Sequence, residues 1–173
     1  MEPLKSLILI VGEADPEQLA KPVTCEGEAK VLASWTRSIC AGIEYPAFHD
    51  TTAVTLPDRL AEEQPGFSGF VRYETEVDLS SNRKTVLEIT DAYEGVELFV
   101  NGQSADIQIV PFYRYDISKL ICDGKNKLAI EVATTLERQM YDVMKDDPRA
   151  KMRGLKEPDC GSGITGTVRL YMK

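Results

Sequence analysis

The sequence holds a single histidine, His49, and four cysteines at Cys25, Cys40, Cys122 and Cys160. Any Ser/His/Asp or Cys/His nucleophile must therefore use His49. That residue lies in Ala47-Phe48-His49-Asp50-Thr51, a stretch of loop character, and no serine sits in a nucleophile-elbow sequence. No two cysteines show the two-residue gap of a zinc knuckle or redox pair, so neither a metal nor a cofactor is expected. Buried free thiols are the simpler expectation, and they favour a reducing, cytoplasmic setting. Paired carboxylates suit glycoside hydrolysis, which asks for only two. Glu74 with Glu76 and Glu94 with Glu97 are such pairs, but among 28 acidic residues alternating acids on a wet strand face explain them. Gly161-Ser162-Gly163-Ile164-Thr165-Gly166 matches the dinucleotide fingerprint in spelling. The run leads into a strand rather than a helix, which a pyrophosphate site requires, so it reads as a glycine-rich loop.

Aromatic and polar side chains near strand ends are the stronger candidates for contact with a ligand. A sugar offers an apolar ring face and a rim of hydroxyls, and aromatic faces with carboxylates, amides or guanidinia match both. Tyr93, Glu94, Tyr113 and Arg114 have this character, and Trp35 is the only tryptophan. The competing expectation for Trp35 is a core anchor.

The formal charge is -8, from 28 acidic and 20 basic residues. No basic stripe is present to displace counterions, which excludes a nucleic-acid partner and suits a neutral ligand better than an anionic one. The apolar run Leu7 to Val11 is too short for a signal-peptide core or a membrane span, so no membrane partner is expected.

Positioning these residues falls to strands. From Phe70 to Leu79 the residues Val71, Tyr73, Thr75, Val77 and Leu79 alternate with Arg72, Glu74, Glu76 and Asp78, the period of a strand with one wet face. The same alternation predicts burial of Val31, Ala33 and Trp35; of Val96, Leu98 and Val100; of Ala105, Ile107 and Ile109; of Leu128, Ile130 and Val132; and of Val168, Leu170 and Met172. Thr85 to Thr90 is a further strand. Asn101-Gly102 predicts a type I′ hairpin and Asp123-Gly124 a second tight reversal. Leu136, Met140 and Met144 stand four apart, predicting a helical turn or two within a loop that ends at Pro148. The expected architecture is an all-β sandwich over residues 25–173 with short helical turns in loops, preceded by an extension or linker over residues 1–24.

Three stretches carry a family resemblance. Thr90 to Gly102, Pro111-Phe112-Tyr113-Arg114-Tyr115-Asp116-Ile117, and Asp123 to Val132 resemble the sugar-binding-like jelly-roll domain of glycoside hydrolase family 2. The same pattern occurs in C-terminal domains of glycosidases resembling α-L-rhamnosidases. Phe67 to Tyr73 and Ser162 to Leu170 are similar to the opening and closing strands of such domains. The resemblance covers residues 65–173 and implies a jelly-roll, galactose-binding-domain-like fold. It also implies a non-catalytic accessory role in a larger hydrolase, either binding carbohydrate or serving as a scaffold for the catalytic domain, with the catalytic acids on a separate domain of the parent chain. Carbohydrate and that catalytic domain are then the expected partners. A stand-alone protein-binding or adhesion module on the same sandwich is the alternative.

Overall fold

The computed structural model describes residues 22–173; the expected extension lies almost wholly outside them. Among the described residues the strands are β1 (Glu28–Leu32), β2 (Ser34–Ala41), β3 (His49–Thr55), β4 (Gly69–Leu79), β5 (Thr85–Ile89), β6 (Gly95–Val100), β7 (Gln103–Gln108), β8 (Tyr113–Asp116), β9 (Gly124–Ala133) and β10 (Val168–Met172). Three short helices join them: α1 (Leu60–Glu63), α2 (Glu137–Met144) and α3 (Pro148–Met152). The strands form two antiparallel sheets, a four-stranded one in the order β1-β10-β5-β8 and a six-stranded one in the order β3-β2-β4-β9-β6-β7. This is the all-β sandwich that the alternation predicts.

The core lies between the sheets and is built from the expected faces. Val71, Tyr73, Val77 and Leu79 of β4, Val96, Leu98 and Val100 of β6, and Leu128, Ile130 and Val132 of β9 are all buried. Two tyrosines of β8 tie the sheets together. Tyr115 donates to the Val96 carbonyl at 2.9 Å, and Tyr113 reaches the Ala92 and Glu94 carbonyls at 3.1 and 2.8 Å. Trp35 is a core anchor, 3% exposed, with its indole N–H on the Leu32 carbonyl.

A polar cluster also sits inside. Arg37 bridges Asp58 at 2.7 Å and Glu63 at 2.6 Å, while the Tyr73 hydroxyl donates to Asp58 at 2.5 Å and accepts from the Ile164 amide at 3.2 Å. Arg37 and Asp58 are buried and paired, as buried charges require, while Glu63 reaches them from the surface.

The turn residues act as their chemistry dictates. Asn101 and Gly102 take φ of 52° and 81°, the positive pair of a type I′ hairpin between β6 and β7. Asn126, fully buried, holds the loop entering β9: its carbonyl accepts from the Cys122 amide and its amide donates to the Cys122 and Gly124 carbonyls.

Several expectations are corrected. Val31 is 57% exposed while Leu32 is buried, because the chain changes sheets at Ala33 and the alternation restarts there. Ile107 and Ile109 are 61% and 75% exposed. A register shift beside Leu98 places Ile107 opposite Glu97, on the outer face, and leaves only Ala105 against the core. His49 opens the strand β3 rather than sitting in a loop. The four cysteines are free, but only Cys40 is buried and Cys122 is exposed. The segment before Pro148 does not simply stop: Asp147 caps α3, accepting from the Arg149 amide with Pro148 in the first turn.

Candidate functional site

The outer face of the six-stranded sheet gathers more polar and aromatic chemistry than any sequence stretch suggests. Antiparallel register aligns Ser38, Arg72, Glu131, Glu97 and Ile107 in one row across β2, β4, β9, β6 and β7. The neighbouring row holds Cys40, Phe70, Ala133 and Gly95. On the other side lie Thr36, Glu74, Ala129 and Phe99.

Arg72 organises this face. Its guanidinium binds Glu131 at 2.8 Å and Glu74 at 3.3 Å, and it lies over the rings of Phe48 at 5.7 Å and Phe99 at 6.0 Å. Cation–π contact on two rings and charge-assisted bonds to two carboxylates fix its position. Lys127 adds a 2.9 Å bond to Glu74. Burial works to raise the Glu74 carboxyl, but Lys127 and Arg72 outweigh it and hold the group below its ordinary value.

Tyr45 reaches in from the loop between β2 and β3. Its ring packs on Phe70 with centroids 4.4 Å apart, and its hydroxyl donates to Glu131 at 3.0 Å. That bond, with burial and the Glu131 charge, raises the phenol above its ordinary value. A groove of about 280 Å³ runs beside this ring, with Phe70, Gly95, Glu97, Ile107, Ile109 and Glu131 among its lining residues. A second cleft of about 330 Å³ shares Phe70 with it and extends past Ile43 to Leu136. A third, of about 460 Å³, lies over Ser34, Thr36, Glu74, Glu76 and Lys127, with Trp35 at its edge.

The residues singled out from sequence lie elsewhere. Tyr93, half-buried, pairs through its backbone with Gly163, and Glu94 next to it is exposed. Tyr113, 1% exposed, sits beneath them on the carbonyls flanking Tyr93, so these three come together. Arg114 points to the opposite face of its strand and binds Glu88 at 2.9 Å, with its guanidinium over Phe112. Trp35 is separate from all four, in the core. Glu97 is a sequence candidate only as the partner of Glu94; Tyr45, Arg72 and Glu131 are not singled out by sequence, because they come from three separate elements, the loop after β2, β4 and β9. The available signal was that Phe70 and Phe99, large aromatic rings, occupy solvent-facing positions of their strands.

A second surface is apolar. Along α2, Leu136, Met140 and Val143 are 65%, 51% and 76% exposed, and no residue of the helix is buried. Among the described residues no group of three or more His, Cys, Asp or Glu side chains is placed to hold a metal. No helix among them is long and apolar enough to cross a membrane.

No family model matches the chain, and no curated protein matches it. Solved structures do. A rhamnosidase from Novosphingobium sp. PP1Y superposes with a TM-score of 0.64 at 18% identity, over 90% of this chain and 16% of its own. A β-glucuronidase from Bifidobacterium dentium gives 0.61 at 16% identity, over 88% and 31%. One from an uncultured Clostridium sp. gives 0.59 at 16%, over 90% and 30%. The sandwich is one that these glycoside hydrolases carry. The chain spans between about a sixth and a third of their lengths.

Proposed function

We propose that this chain is a non-catalytic accessory domain of a glycoside hydrolase, recognising carbohydrate through its surface and bracing the catalytic part of the enzyme. The observation that carries this reading is one of proportion. Nearly the whole chain aligns with a minor fraction of a rhamnosidase and of β-glucuronidases, each several times longer than the aligned segment. Fold alone does not fix function, and the outer face supplies the supporting chemistry. Aromatic rings, two carboxylates and a fixed guanidinium on one sheet are the groups that recognise sugar rings and hydroxyls.

The exposed apolar side of α2 supports the bracing role, since a contiguous apolar stripe is costly to leave in water. The same stripe favours the second reading, a protein-recognising module that stands apart from any hydrolase. The loop residues Tyr93 and Glu94 with Tyr113 beneath them, Arg114 on the opposite face of β8, and Trp35 in the lining of the broad third cleft stay proposed contacts of a carbohydrate.

Hydrolysis separates an accessory domain from an enzyme. The purified chain, incubated with aryl α-L-rhamnoside and aryl β-D-glucuronide, is expected to release no more phenol than buffer does. Sustained turnover that scales with protein concentration would overturn the non-catalytic assignment.

A further inference from the structure

The groove between Tyr45 and Ile109 has a shape that depends on one missing side chain. Gly95 sits on its floor in an ordinary backbone conformation. A Cβ built there would stand 3.9 Å from both the Ala133 Cβ and the Ile109 Cγ2, so a longer side chain would occupy the hollow. Around that floor stand apolar carbons of Ile107, Ile109 and Phe70, with the half-exposed ring of Tyr45 on one side. Glu97 and Glu131, direct neighbours across β6 and β9, supply the polar wall.

Both carboxylates keep acceptor capacity. An ionised carboxylate offers about four lone-pair sites. Glu131 accepts from Arg72 on one oxygen and from Tyr45 on the other, and Glu97 accepts from Ser104 at 2.6 Å. A ligand that fits must therefore present hydroxyl donors to the wall and carbon to the floor. At about 280 Å³ the groove lies at the foot of the roughly 300–1,000 Å³ range of small-molecule sites, which suits one ring rather than an extended chain. No cation lines the groove, and although Arg72 offsets Glu131 from behind, the charge of Glu97 beside it disfavours an anionic ligand.

We infer that this groove is a binding site for a single uncharged pyranose, held by hydroxyl donation to Glu97 and Glu131 with its carbon face on Tyr45 and the isoleucines. The inference rests on the carbohydrate reading above and sharpens it. The site takes neutral sugar residues in preference to uronic acids, and it lies on the outer sheet face rather than in the loop around Tyr93.

Amide NMR of the whole chain tests it, with methyl α-L-rhamnopyranoside and methyl β-D-glucopyranoside as neutral probes and methyl β-D-glucuronide as the charged one. At least one neutral probe is expected to shift the amides of Gly95 to Glu97, Ile107 and Ala133, and the glucuronide to bind about tenfold more weakly. Gly95→Val, which fills the hollow, and Glu97→Gln, which weakens the wall, are each expected to reduce neutral-probe affinity about tenfold or more. Unchanged melting temperatures would show that both variants fold. Shifts confined to the loop around Tyr93 and Glu94 would overturn the groove while leaving the accessory-domain reading intact. Equal binding of the glucuronide, binding unaffected by Gly95→Val, or no shift with either neutral probe would also overturn the groove. Turnover of aryl glycosides is a separate result and would strike the reading it rests on.

Discussion

Arg37 shows how much a single buried group can matter here. It is 4% exposed, and its partner Asp58 has a side chain 2% exposed. Arg37→Met keeps much of the volume but strands the Asp58 carboxylate, so a loss of about 3–5 kcal/mol is expected in urea denaturation. A loss below about 1 kcal/mol would mean that the cluster is not buried as described. The phenols give an independent readout. Burial, then the Asp58 charge, pushes Tyr73 well above its ordinary value, and burial pushes Tyr113 up to about 12 and Tyr115 higher still. A phenol whose folded value exceeds its unfolded one stabilises the fold fully below about pH 10. That contribution falls away as pH rises from there through the folded value. Phenolate absorbance should therefore rise in two stages, with the buried tyrosines ionising only as circular dichroism reports unfolding. Simultaneous ionisation of all seven tyrosines in a folded chain would contradict this. Tyr73 is legible in sequence through strand alternation, and Trp35 through its place in an apolar stripe. Asp58 is not legible, because nothing near it in the chain announces the arginine 21 residues away.

Turns and strands were legible to different degrees for a physical reason. Asn101-Gly102 announces its hairpin because positive φ is a local steric demand. The sheet change at Ala33 and the register shift beside Leu98 are not local demands. They follow from how strands pair, and each reverses which side chains face the core. That is why Val31, Ile107 and Ile109 read as core residues and are exposed. The outer-face groove escaped notice with them, since Ile107 and Ile109 form part of it. Two glycines separate local strain from packing. Gly102 has φ of 81° and open space around it, so Gly102→Ala should cost only the backbone term, about 1–2 kcal/mol. Gly163 has φ of 73°, and a Cβ there would lie 2.0 Å from the Tyr73 hydroxyl. Gly163→Ala should add the loss of the Tyr73–Asp58 bond, for a total of about 3–5 kcal/mol. Equal midpoints for the two variants in denaturant would show that the glycine-rich loop does not pack on Tyr73.

At the scale of the whole molecule, two sheets enclose an apolar core, while the six-stranded sheet turns an ordered polar and aromatic face outward. The ion pairs of that face are part-buried, with Glu131 beneath Arg72, so they help to hold the sheet as well as to order its surface. On it Arg72 is held between two rings and two carboxylates and Tyr45 folds over Phe70, and recognition is the role we propose for this arrangement. The sandwich class was readable from alternation, and the resemblance to glycosidase domains agrees with the solved structures that share the fold. Pairings across distant strands, which build the face, were beyond any local pattern. The most direct measurement is a glycan microarray probed with the labelled chain, its neutral and acidic glycans scored together. The account predicts retention on neutral glycans, reduced by Gly95→Val. Silence on every glycan, or retention on acidic glycans alone, would contradict it.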